Sequence, residues 1–400
     1  MANTIIVANL LQKEIIRYLD KNRVMTPWAN RKYEKDLKEQ GDTVTVQTFP
    51  DLDPHRGGTA GSDITDQDWA ITSENLTVKE LVRDSRIIKD NEEVRSNLKI
   101  RSKISNRYAY ALSQVHERHV GITAALGAYA DNKLYDGAPV TLTKATVYAA
   151  IEEMMVALED QNAGENPALF ADPKTISYIK QSGMLDGFVE GYNQRKTKGL
   201  KGEISGFTLY KTTNLPCKID LQMATNPSDG DTITVNITNL AKVTTAMVIT
   251  FKTSAVAAGQ CDIGANIAAT QANLVKMING SGVGDGTDYF EFSTAQRALL
   301  TKVEAFAGAF ASDAMPLTLN NKVTVAETFT DATDTWGTVG LVMIAMDMEA
   351  LNFVDQFTKF KINPPTSNDG FYAKMQYESV FQAKVFEGND RRIATYEIAA

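Results

Sequence analysis

Long apolar runs are missing from this 400-residue sequence. The longest, Gly340 to Met346, falls far short of the roughly 20 residues needed to cross a membrane as a helix. Cysteine is scarce: only Cys217 and Cys261 occur, and they form no spaced metal-binding pattern. They are either a disulfide or two buried thiols, and a reducing compartment favours the thiols. That compartment is expected because the first charge comes only at Lys13 and no small-residue cleavage site follows, so the N-terminus does not read as a secretory leader. There are three histidines, His55, His116 and His119. They leave few candidates for a catalytic base, and no Ser-His-Asp or Cys-His arrangement is suggested. An excess of positive charge is also lacking. The net charge of -8 argues against a general binder of nucleic acid or membrane surfaces.

What remains is an ordinary soluble composition, 43% hydrophobic and 22% charged, on a chain long enough for two or three domains. Its charge is uneven. Residues 223–335 hold 6 basic against 11 acidic side chains, and residues 1–40 hold 8 against 5. The stretch with most to organise around is Asn91 to Lys133, which contains no proline and meets its first glycine at Gly121. Val94, Leu98, Ile104, Tyr108, Leu112, Val115, Ile122, Leu126 and Tyr129 recur at helical steps. Such a helix would run about 60 Å, too long to bury both ends in one compact domain. Its register breaks at Arg101 and His119, so it reads as a spine for smaller pieces rather than a coiled coil.

Before the spine, residues 4–23 carry an amphipathic pattern ended by Pro27 and Trp28. An apolar face shown this early usually docks elsewhere, often on a neighbouring subunit. Gly41-Asp-Thr-Val-Thr-Val-Gln-Thr-Phe alternates as a strand, and so does Trp69 to Val82. Between them Pro50 to Gln67 has almost nothing to bury. The two runs read as a long hairpin, which would be marginal alone and needs support from outside the chain. After the spine come a helix over Thr143–Glu159, a strand at Pro167–Ala171 and a helix at Pro173 capped by Asp172 and closed by Gly183. A strand over Gly202–Tyr210 completes an α/β layer. Residues 223–335 turn Thr-rich, with strand-like runs including Asp288–Ser293 and short helices at Asn266–Gly280 and Ser293–Lys302. They read as a module inserted into a host loop. Beyond Trp336 an apolar strand leads into a short helix, followed by alternating runs to the last residue.

This order of parts, with the Gly41-Asp-Thr-Val strand, the Asp90–Asn97 run leading into the spine, Gly202–Pro216 and Asp369–Val380, resembles the major capsid proteins of tailed bacteriophages. These have the Hong Kong 97-type fold. The resemblance covers residues 1–222 and 336–400. It implies an α+β capsid fold with an N-arm at 1–40 and an extended hairpin, or E-loop, at 41–90. A peripheral domain at 91–140 and 353–400 would contain the spine, and an axial domain would take 141–222 and 336–352. The β-rich α+β insert would be 223–335. The implied function is structural: hexamers and pentamers of an icosahedral shell around double-stranded DNA, in a virion assembled in the bacterial cytoplasm. No catalysis, cofactor, metal or membrane partner is expected. No long acidic helical extension precedes the arm, so a separate scaffolding protein is implied, with a portal and a possible decoration protein. Some relatives crosslink a hairpin lysine to an asparagine; Pro50–Gln67 has no lysine, which puts that chemistry in doubt. An encapsulin-like cellular compartment is the alternative.

Trp28, Val44, Val46, His55, Arg56 and Trp69 are the expected subunit contacts, with the two tryptophans as buried anchors. His116 and His119, three residues apart, could hold a metal but lack a third ligand; a polar patch at a subunit contact is the reading taken. Gly280–Gly286 follows a helix and lacks the Lys-Ser/Thr of a phosphate loop, so it reads as a turn. Glu152-Glu153 and Glu159-Asp160 read as solvated helix charges rather than a catalytic pair. The basic face of the spine would make weak, non-specific contact with packaged DNA at most.

Overall fold

Two alternating Val/Thr-rich runs near the N-terminus and two longer ones near the C-terminus build the strands of one unit. In the other, near-continuous apolar runs build the central strands and alternating Thr-rich runs build a second sheet. A computed structural model describes residues 23–37, 41–48, 71–78, 80–89, 100–163, 167–182, 203–238, 244–280, 288–293, 296–297, 300, 303–305, 314–319, 323–331, 335–337, 339–363 and 372–399. The chain divides into two compact units.

The first unit takes Met1–Tyr129, Asp160–Ala168 and Met346–Ile393. Strands β1 (Thr43–Thr48) and β2 (Thr72–Thr77) form an antiparallel ribbon in which Val44 faces Leu76 and Thr48 faces Thr72. Strand β3 (Glu80–Lys89) joins β17 (Asn352–Asn363) and β18 (Tyr372–Lys384) in a three-stranded antiparallel sheet ordered β17-β18-β3. Across this sheet runs helix α1 (Ile100–Gly127), 28 residues long. The spine is therefore present, but it stops at Gly127. There Val385 approaches so closely that a Cβ on residue 127 would lie 2.7 Å from its Cγ2. The expected start of the spine, 91–99, lies outside the described residues.

The buried stripe of α1 differs from the apolar pattern. Tyr108, Leu112, Val120 and Ala124 are buried, and Ser113, His116 and Glu117 are fully buried with them, whereas Val115 and Leu126 are half-buried. Polar residues thus complete the i, i+4 stripe between Leu112 and Val120. Aromatic contacts seat it on the sheet: the Tyr108 and Tyr377 rings lie 4.6 Å apart, and His116 and Phe381 4.4 Å apart.

The second unit takes Ala130–Glu159, Leu169–Ala345 and Ala394–Ala400. Its ten-stranded sheet is centred on β8 (Cys217–Gln222), β16 (Gly340–Met346) and β5 (Ala168–Ala171), almost wholly buried. Continuous apolar runs such as Leu341–Met346 belong in such a covered layer. Strands β7 (Phe207–Lys211) and β6 (Glu203–Ile204) extend one side. Glycine at Gly206 (φ 80°), next to Ser205 (φ 47°), makes the tight turn that splits the single strand expected there. Strand β19 (Ile393–Ala399) pairs with β16 and with β4 (Lys133–Leu134), so the end of the chain lies in this sheet rather than beside Phe353. Helix α2 (Val147–Asp160) begins four residues after Thr143, because Thr143 and Thr146 first close a turn through N–H and hydroxyl bonds. Helix α3 (Pro173–Gln181) is capped as its sequence indicates: the Asp172 carboxylate accepts from the Lys174 and Thr175 N–H groups at 2.9 and 3.1 Å. Gly183, its expected close, lies outside the described residues.

Residues 223–335 contribute a four-stranded sheet ordered β11-β10-β9-β14, from β9 (Thr232–Thr238), β10 (Thr244–Lys252), β11 (Gln260–Asp262) and β14 (Val323–Thr328). Helix α4 (Ile267–Asn279) runs from its Asn266 cap to Gly280 at φ 68°. Ile233, Val235, Met247, Phe251 and Leu274 share one core, and it continues into Cys217, Ile219 and Leu221 of β8. From the same segment β12 (Glu304–Ala305), β13 (Ala314–Leu319) and β15 (Thr335–Trp336) join the ten-stranded sheet: β13 and β15 pair with β8, and β12 with β13. Asp288–Ser293, expected as a strand, makes isolated bridges at Tyr289, opposite Cys261, and at Phe290, which bonds the Gln260 carbonyl, rather than a continuous strand. Most of Ser293–Lys302 lies outside the described residues. The helix expected after β16 is instead a turn: the Ala350 N–H bonds the Asp347 carbonyl, and Arg392 binds the Asp347 and Glu349 carboxylates. Both cysteines are free and buried. No described helix is long and apolar enough to cross a membrane.

Candidate assembly elements

Two pieces of the first unit stand out by how they are fixed: residues 23–37 and the β1–β2 ribbon. Their roots are built from buried polar groups. Glu117, fully buried on α1, accepts hydrogen bonds from the N–H groups of Val24, Met25 and Thr26 at 2.7, 2.8 and 3.1 Å, and from the Thr26 hydroxyl at 2.8 Å. Beside it, the Arg23 guanidinium donates to Nδ1 of the preceding residue, His116, at 2.6 Å and to Asp355 at 2.9 Å. Arginine only donates, so His116 is the Nε2–H tautomer and gives that proton to the Ser379 hydroxyl, 3.2 Å away. Burial pushes His116 down to about 3, with Asp355 opposing, and pushes His119 down to about 4. Asn30 then pairs with β17, exchanging bonds with Leu351 and Phe353 at 2.7 and 2.9 Å. Leu37 ends the segment in a core with Leu76, Val78, Val354, Val380 and Phe386.

That core is also the root of the ribbon. Gly41 and Asp42 bond Val78, and the Lys384 ammonium meets the Glu74 carboxylate at 2.7 Å and the Asn75 carbonyl at 3.0 Å. The Glu387 N–H donates to Glu74 at 2.7 Å. These bonds hold the Glu74 carboxyl below its usual range against partial burial, which pushes it up. Val44 and Val46 are half-buried against the same core, while Thr43, Thr45 and Gln47 are exposed. Among the described residues neither ribbon strand has a second partner.

In the second unit Lys218, nearly buried on β8, binds three carboxylates: Asp136, Asp220 at 3.5 Å and Glu397 of β19 at 3.2 Å. Burial pushes Glu397 up to about 7 despite the lysine, and Asp136 adds to the rise. Glu152 bonds Ser205, whose hydroxyl also lies 3.1 Å from the Tyr148 phenol. Hydrogen bonds from Ser205 and Tyr148 hold that carboxyl low, as in a helix-to-turn tie. Among the described residues no group of three or more His, Cys, Asp and Glu side chains could hold a metal ion.

Of the expected contacts, Trp28 is half-buried in the short turn Thr26–Trp28, and Val44 and Val46 lie on the ribbon's inner face. His55, Arg56 and Trp69 lie outside the described residues. His116 is not a surface patch: it and Glu117 are internal and bond residues 23–26. Sequence reasoning missed this role. The available signal was the spacing of Ser113, His116 and Glu117, which continues the buried stripe.

No protein-family model matches the sequence, and no curated protein is significantly similar to it. Solved structures are similar in fold. A structure titled Mycobacterium phage Che8 superposes with a TM-score of 0.52 at 10% identity, covering 94% of this chain and 91% of that one. The capsid structure of Cyanophage P-SCSP1u gives 0.48 at 10% identity over 91% and 84%. The capsid of Ralstonia phage GP4 gives 0.43 at 10% over 93% and 86%. Its mixed helices and sheets, matched over nearly the whole length, give this chain the fold of the Che8 phage structure.

Proposed function

We propose that this chain is the major capsid protein of a tailed bacteriophage, closing as hexamers and pentamers into an icosahedral shell around double-stranded DNA. The observation that carries the reading is the ribbon. A two-stranded sheet with exposed threonines is marginal alone, yet its base is fixed by a shared core and an ion pair. Such a projection is supported when it lies on another copy. The arm's root supports the same reading, because three backbone N–H groups and a guanidinium secure residues 23–26 as the base of a reaching segment. Val44 and Val46 would then gain burial on assembly, together with Trp28, Trp69, His55 and Arg56.

In this reading residues 223–335 form a module on the outside of the shell, because bulk on the inside would obstruct the genome. A separate scaffolding protein, a portal and a possible decoration protein are the remaining partners. Packaged DNA meets the shell only weakly, and the particle is made in the host cytoplasm. The test replaces residues 49–70, the sequence between the two ribbon strands, by a short turn and leaves Leu76 and the Lys384–Glu74 pair in place. The shortened chain is expected to keep the parent's circular dichroism and yield no large particles on a sedimentation gradient. Particles at the parent's yield would contradict the role of the ribbon.

A further inference from the structure

We propose that the outer face of the four-stranded sheet is where two copies of this chain meet, sheet against sheet, across a twofold axis. The inference rests on the shell reading and assigns one contact within it.

The register defines the face. Ala326, Thr234 and Val248 stand side by side on β14, β9 and β10, and the flanking rows add four threonines, Asn236 and Ala246. All nine side chains are exposed or half-exposed, while the alternate residues Ile233, Val235, Ile237, Met247 and Ile249 fill the core beneath. Val248 is 46% exposed at the centre. None of the nine is charged. A surface with the chain's 22% charged content would place about two charges there. The contrast is sharper because residues 223–335 hold 11 acidic against 6 basic side chains. Charge returns only at the border, where Lys252 pairs with Asp229 at 2.9 Å. The hydroxyls of Thr232 and Thr328 bond each other at 2.7 Å, so that row does not depend on water for both.

These features select the occupant. A nucleic acid or a charged peptide finds nothing here to pair with. Two acidic copies repel one another over most of this module's surface, and the uncharged face is where they approach without that cost. A twofold contact requires a self-complementary patch, which a flat face of small side chains supplies. Its size matters too. Three strands about 4.8 Å apart and three rows about 7 Å apart cover a few hundred Å² at most, below the roughly 800 Å² per partner of a stable dimer. The contact therefore forms only where the shell already holds copies together.

The test uses the full chain, with particles confirmed by electron microscopy. Val248→Cys particles are treated with a short bismaleimide and run on a denaturing gel. The native thiols are buried and stay silent, and Val256→Cys, 73% exposed in the loop between β10 and β11, is the control. Crosslinked dimers from Val248→Cys and not from the control are expected. Val248→Glu should leave circular dichroism unchanged and lower particle yield by about tenfold or more, as unpaired charge at a desolvated contact does. Particles whose Val248→Cys subunits stay monomeric would overturn the inference and leave the shell reading intact. Absence of particles from the parent would contradict the shell reading, and this contact with it.

Discussion

Glu117 concentrates more of the fold's specificity than any apolar residue of its helix. Its four hydrogen bonds fix a stretch of chain about 90 positions earlier in sequence. Glu117→Gln puts an amide donor where only acceptors fit. It should cost about 2–4 kcal/mol in urea unfolding, and proteolysis should reach residues 23–37 sooner. The buried titratable groups give opposite pH dependences. His116 and His119 are lowered to about 3 and 4, so the folded state rejects protons that the unfolded chain accepts below about 6.5. Their contribution is complete above that pH and is lost as pH falls toward 3. Glu397 is raised to about 7, so the folded state keeps a proton that the unfolded chain releases above about 4.5. Its contribution is complete at low pH and is lost as pH rises through 7. Urea midpoints measured from pH 4 to pH 8 should therefore flatten on the acid side for His116→Gln and rise at pH 8 for Glu397→Gln. Unchanged profiles would remove both assignments.

Elements with strong local signals were legible in the sequence, and those decided by distant contacts were not. The Asp172-Pro173 cap, the Val/Thr alternation of β1 and the Asn266-to-Gly280 helix all follow from short-range chemistry. The need for glycine at position 127 comes from Val385, far along the chain, and the turn after β16 is tied to Arg392. The tie at Lys384 likewise joins distant residues, so no local pattern announces it. Two outcomes follow at this scale. Gly127→Ala should cost about 1–3 kcal/mol through its clash with Val385, read as a lower urea midpoint. Lys384→Ala removes a partly exposed pair worth about 0.2–1 kcal/mol, and should speed hydrogen exchange in Thr72–Thr77 while global stability changes little. Equal exchange in both proteins would show that the apolar core alone holds the ribbon.

For the molecule as a whole, the order of arm, hairpin, spine and α/β layer was enough to indicate the fold, although identity to the Che8 structure is only 10%. Chain order and hydrophobic pattern outlast residue identity because they fix which surfaces must be buried. Interface residues were less legible, since a half-buried Val44 reads the same whether its remaining surface meets water or a neighbour. The central claim is that the ribbon and the chain around residues 23–37 complete their burial on other copies. Electron microscopy of the purified full-length protein, made with and without a co-expressed scaffolding protein, tests it most directly. The account predicts closed shells of many copies, with ribbons and arms lying across neighbouring subunits. A uniform small oligomer under both conditions would contradict it.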